Sequence, residues 1–138
     1  MEYKGTQYGG YYMEYPTLNE AKKFSRELEY DERICVQMQG FHFGTSQVNC
    51  YSFGEFVAAV GKREFKNPAG GVRSLEKSEI VPWIANVIGD KELANAILCI
   101  FHDSEGMQEI TDKIGTVIYV RKAQYDEVIA FPEECEEV

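Results

Sequence analysis

Positive charge is scarce in this chain. Fourteen Lys and Arg stand against 23 Asp and Glu, for a formal net charge of −9. Phosphate would be repelled by such a surface, which argues against broad-surface binding to nucleic acid. The same charge suits an acidic face that occupies a basic site on another protein. The plainer account is that acidity keeps a cytoplasmic protein dispersed. Long apolar runs are also missing. No window approaches 18 consecutive apolar residues, so no membrane partner is expected. Met1-Glu2-Tyr3-Lys4 lacks the charge and apolar run of an export signal, which points to the cytoplasm. The cysteines Cys35, Cys50, Cys99 and Cys135 form no C-x-x-C pair, and His42 and His102 complete no zinc pattern. Free thiols, no metal and no cofactor follow as expectations.

What is present is enough for one domain. A chain of 138 residues with 44% hydrophobic and 27% charged residues can bury a core without disulfides. Tyr8–Tyr15 reads as an aromatic strand ending at Pro16. Thr17-Leu18-Asn19-Glu20 is a capping box opening a helix to about Tyr30. Residues 33–43 alternate as a half-buried strand, and Gln47–Phe53 returns as its partner after a turn at Gly44–Ser46. That turn would leave Cys35 and Cys50 about four residues, roughly 13 Å, out of register, too far for a disulfide.

Ser52-Phe53-Gly54-Glu55 opens a short helix to Val60. Ser74 or Ser78 can cap a further helix, with Pro82 in a first turn. Asp90 caps a helix over 91–102, with Leu93, Ala94, Ile97, Leu98 and Phe101 as its buried stripe and Cys99 in the core. Met107–Ile114 adds a helical turn. Thr116–Arg121 and Asp126–Phe131 read as a β-hairpin. These elements predict an α+β domain over 1–131. It would hold an antiparallel or mixed sheet of about five strands, with three to four helices packed on one face. Residues 132–138 read as an acidic C-terminal tail.

Against the acidic background, residues 61–75 stand out. Lys62, Arg63, Lys66 and Arg73 face a single carboxylate, Glu64, and Gly70 and Gly71 bare the backbone before Ser74. Cations and unshielded amides favour an anion, and arginine binds phosphate in bidentate fashion. The segment is neither a Walker loop nor a dinucleotide fingerprint. The plainer account is a solvated surface loop. Five of nine tyrosines lie in the first fifteen residues, and Tyr11 or Tyr12 could stack on a base, although tyrosine is also an ordinary strand former. His102-Asp103 lacks the further ligands of a metal hydrolase, and His102 suits the negative end of its helix.

The sequence therefore supports, first, a non-enzymatic protein that binds or sequesters a small phosphate-bearing, nucleotide-like ligand. Lys62, Arg63, Lys66, Gly70, Gly71, Arg73 and Ser74 would hold phosphate, and Tyr11 or Tyr12 would stack on the base. The alternative is an acidic inhibitor of a basic partner such as a nuclease, of the anti-defence or immunity kind found in phages and mobile elements. That link is one of composition. A small hydrolase using Cys50 or His102 and Asp103 comes third, for want of a convergent acid–base set. The sequence leaves self-association into a homo-oligomer open.

Overall fold

The computed structural model describes residues 5–8, 11–39, 45–61 and 71–131. Strands β1 (Gly5–Tyr8) and β2 (Tyr11–Glu14) form an antiparallel pair. Thr17 then opens helix α1 (Leu18–Phe24) with the expected reciprocal cap: its side chain accepts from the Glu20 amide, and the Glu20 carboxylate accepts from the Thr17 amide. The helix ends at Phe24, short of the expected Tyr30. Strands β3 (Ile34–Gln39) and β4 (Thr45–Cys50) pair antiparallel. The pairing puts Ile34 opposite Cys50 and Cys35 opposite Asn49. The register expected from a tight turn is therefore wrong. Cys35 and Cys50 are near neighbours on opposite faces of the sheet, and they stay free because adjacent pairs point apart.

Helix α2 (Phe53–Phe56), capped by Ser52, widens into a π-helical turn over Val57–Gly61. Strand β5 (Gly71–Ser74) completes the second sheet, in the order β4-β3-β5. Helix α3 (Lys77–Pro82) has Glu76 as its N-cap rather than Ser74 or Ser78, and Glu76 makes no side-chain cap bond. Pro82 sits at its end rather than in a first turn. It has no N–H to donate, and the chain continues as a wider π turn over Trp83–Ile88. Helices α4 (Lys91–Asp103) and α5 (Met107–Ala130) follow.

The architecture overturns the expected five-stranded sheet with helices on one face. The strands divide into a two-stranded and a three-stranded sheet, and helices supply most of the framework. The expected C-terminal hairpin is absent, because residues 107–130 form one continuous helix. That helix is the hub: α1, α4, the Val57–Gly61 turn and β5 all pack on it. An aromatic chain runs through the core from Phe24 to Tyr125, Phe53, Phe56 and Trp83, with centroid separations of 5.4, 5.1, 6.4 and 5.2 Å.

Asp90 caps α4 as expected, but the buried face is rotated from the one expected. Leu93, Ala94, Ala96, Ile97 and Ile100 are buried, Leu98 is 42% exposed and Cys99 is exposed. The apolar arc is wider than its contact with the core, so pattern alone could not choose between Leu98 and Ile100. Ile97→Ala should therefore cost about 2–5 kcal/mol, and Leu98→Ala no more than about 0.5 kcal/mol. Denaturant unfolding of both variants checks this, and equal losses would reject the assigned face.

Candidate functional site

Of the ligand-binding residues singled out from the sequence, five are among the described residues. Lys62, Arg63, Lys66 and Gly70 lie outside the described residues, as does the tail at 132–138. Gly71, Arg73 and Ser74 are in β5, on the three-stranded sheet. Tyr11 and Tyr12 are in β2, on the two-stranded sheet, which packs against α4. Among the described residues, those expected to hold phosphate and those expected to stack on a base thus sit on separate sheets.

A buried charge network that the sequence reading missed joins three elements. Gly89, at φ 101°, takes the left-handed conformation that closes the π turn, and both its N–H and that of Asp90 bond to the Ile84 carbonyl. This places the Asp90 side chain at the head of α4, where it accepts from the Leu93 amide at 3.1 Å. Arg121 reaches it from α5: Nε donates to Oδ2 at 2.7 Å and Nη2 to Oδ1 at 3.1 Å. Nη2 also donates to Glu92 Oε1 at 3.4 Å. Nη1 donates to the Glu14 carbonyl at 2.7 Å and to Gln124 Oε1 at 2.6 Å. The Tyr125 hydroxyl donates a short bond to Asp90 Oδ2. Asp90, Arg121 and Gln124 are all buried.

Burial alone would lower the Arg121 pKa. The bond and charge of Asp90, aided by Tyr125 and Glu92, outweigh it and hold the guanidinium charged. Burial, then the Asp90 charge and bond, push Tyr125 well above its usual value, so it remains a neutral donor. An open, mostly polar cleft of about 380 Å³ lies over this network, with Glu14, Glu20, Lys91 and Glu92 among its lining residues. Every N–H of the guanidinium is engaged inside the fold, so Arg121 pins β2 and α4 to α5 and offers no donor to a ligand.

A second recess has the character of a binding groove. Gly54, Val57 and Ala58 form one wall, and Tyr119, Lys122, Ala123 and Asp126 of α5 form the other. The space is about 310 Å³ and mainly apolar. Tyr119 is 51% exposed. Lys122 donates to Asp126 at 2.7 Å across one helical turn. Gly54 allows the close approach, since a Cβ there would stand 3.3 Å from Lys122 Cε. The signal for this groove is the helical spacing of Tyr119, Lys122, Ala123 and Asp126, which the hairpin reading concealed.

The remaining chemical candidates lie on different elements, Cys50 at the end of β4 and His102 and Asp103 at the end of α4. Burial, then Glu55 and Cys35, push the Cys50 thiol up to about 11, which disfavours the thiolate a nucleophile needs. His102 is exposed in the last turn of α4. Among the described residues no three His, Cys, Asp or Glu side chains are grouped to hold a metal ion, and no helix is long and apolar enough to cross a membrane. No family model, curated protein or solved structure matches the chain.

Proposed function

We propose that this chain is a non-enzymatic binding protein for a small phosphate-bearing, nucleotide-like ligand. The ring would lie in the groove against Tyr119, and cations of the segment from Lys62 to Arg73 would meet the phosphate. One observation carries this reading. Val57 and Ala58 of the groove wall belong to the π turn that ends at Gly61, and the next two residues in the chain are Lys62 and Arg63. An apolar slot with a half-exposed aromatic ring suits a base, and adjacent cations suit its phosphate. Tyr119 thereby takes the stacking role first given to Tyr11 or Tyr12.

Calorimetric titration with mono-, di-, cyclic and dinucleotides tests the proposal, after a thermal-shift screen near 1 mM. A ligand of about 10 μM affinity should stabilise the fold by roughly 2.7 kcal/mol at that concentration. Tyr119→Ala should weaken binding by about 1–3 kcal/mol, the scale of losing one base–aromatic stack. Arg63→Ala or Arg73→Ala should weaken it by about 1.5–3 kcal/mol each. Tyr11→Ala should leave it unchanged. A screen with no stabilised condition rejects the reading.

The acidic-inhibitor alternative draws support from the cleft rim, where Glu14, Glu20 and Glu92 surround a guanidinium turned inward. Under that alternative a basic protein partner binds, its affinity falls steeply with salt, and Tyr119→Ala is silent.

A further inference from the structure

We propose that β4 is a self-association edge, through which two copies of this chain pair antiparallel across a two-fold axis. The proposal is independent of the ligand reading and rests on four features of one strand.

First, β4 is an outer strand with no described partner beyond it, and Gln47, Val48 and Asn49 are exposed. Second, it lacks the devices that blunt sheet edges, which are short length, charge, proline and bulges. It runs six residues, Thr-Ser-Gln-Val-Asn-Cys, in unbroken register with β3. The opposite edge shows the contrast: β5 has four residues, carries Arg73, and meets β3 through a register shift. Third, the 21 residues from Ile34 to Gly54 include no Asp, Glu, Lys or Arg, the longest such run in the chain. Two molecules of charge −9 repel over most of their surfaces, and this strand is where they can meet without opposing like charges. That neutrality favours a second copy over a basic or acidic peptide.

The fourth feature fixes the register. Val48 pairs with Val36 and shares its face with Ile34, Val36 and Cys50. Those three are buried, yet Val48 is 37% exposed, because the core ends before it does. Residues paired across a two-fold normal to the sheet must point to the same face, so the axis passes through a residue rather than between two. Placed at Val48, it sets Val48 against its copy and Gln47 against Asn49 of the second molecule. The exposed end of the core row is then covered, and the two three-stranded sheets become one of six strands.

Sedimentation equilibrium of the full chain, from about 5 to 500 μM, tests this, the range expected for a small interface. The average mass should climb from 15.8 kDa toward twice that value. Raising salt from about 0.05 to 0.5 M should preserve or strengthen the dimer, since it screens repulsion between the copies. Val48→Glu should keep the native circular dichroism spectrum and remain monomeric throughout. Mixing it with Val48→Lys should restore a dimer, because opposite charges then face each other at the axis.

A wild-type mass constant at 15.8 kDa overturns the proposal, even if β4 captures a strand from another protein. Wild-type dimerisation by Val48→Glu overturns it equally. Should that variant fail to fold, amide exchange of the wild type decides. Protection of β4 amides must rise with concentration, and unchanged protection rejects the pairing.

Discussion

Replacing Arg121 with methionine should cost about 3–5 kcal/mol, the scale of stranding one half of a buried ion pair. The residue is 2% exposed, and its side chain is the point where Asp90, Glu92, Gln124 and the Glu14 carbonyl meet. Methionine fills similar volume, so the loss comes from leaving the Asp90 carboxylate buried without its cation. A second substitution should then recover part of that loss. Asp90→Asn removes the stranded charge, and asparagine caps a helix about as well as aspartate, so the bond to the Leu93 amide survives. The double variant should therefore be more stable than Arg121→Met alone, although Asp90→Asn by itself destabilises. Urea midpoints of the wild type, both single variants and the double variant give this cycle. A loss below about 1 kcal/mol for Arg121→Met, or no recovery in the double variant, would mean that the network is not a coupled charge pair. The Arg121 variant should also loosen β2, which the guanidinium and Gln124 hold through the Glu14 and Met13 carbonyls. Faster amide exchange over Tyr11–Glu14 would register that release.

The elements legible in the sequence are those specified by local chemistry. Thr17 with Glu20 marks the start of α1, and Asp90 marks the start of α4, because a cap is a bond between residues three apart. The end of α1 was not legible. Residues 25–30 carry the same helix-compatible pattern, but Arg26 turns to donate to the Val87 carbonyl, and the Leu28 amide bonds to the Tyr51 carbonyl. Those partners lie far along the chain. The β3–β4 register differs because the pairing of Gln39 with Thr45 centres the connection on position 42, three residues before the centre of the turn expected at Gly44–Ser46.

The site was least legible of all. Local composition draws attention to the cations at 62–73, but the groove is built from Gly54–Ala58 and Tyr119–Asp126, more than sixty residues apart. Only tertiary packing brings those walls together. The Arg121 network escaped for a different reason: apolar periodicity passes over an arginine and a glutamine at core positions, and these two are buried because Asp90, the Glu14 and Met13 carbonyls and each other satisfy their polar groups.

Ala123→Pro should destabilise the fold by about 3 kcal/mol or more, and this substitution separates the two readings of the C-terminal region. In the expected β-hairpin, residues 122–125 would be the connecting turn, where an exposed proline is tolerated. In the structure Ala123 is an exposed residue well inside the 24-residue helix α5. Proline there removes the N–H that bonds four residues back and drives its ring against that carbonyl.

The sequence misleads at this point because Thr116-Val117-Ile118-Tyr119-Val120 is a run of β-branched and aromatic residues, all favourable in strands. What overrides that propensity is the buried face of the whole segment. Ile110, Thr111, Ile114, Val117, Ile118, Arg121, Gln124, Tyr125 and Val128 recur with helical period, and they include two of the aromatic and charged anchors of the core. Ala123→Gly is the control. It keeps the N–H and should cost only about 1 kcal/mol by its weaker helix propensity. Because Ala123 also lines the groove, ligand binding is measured on the glycine variant, whose fold persists, and stability on both. A proline variant that melts within about 0.5 kcal/mol of the glycine variant would mean that α5 is interrupted near Ala123. It would also remove the helical spacing that places Tyr119 and Lys122 on one wall of the groove.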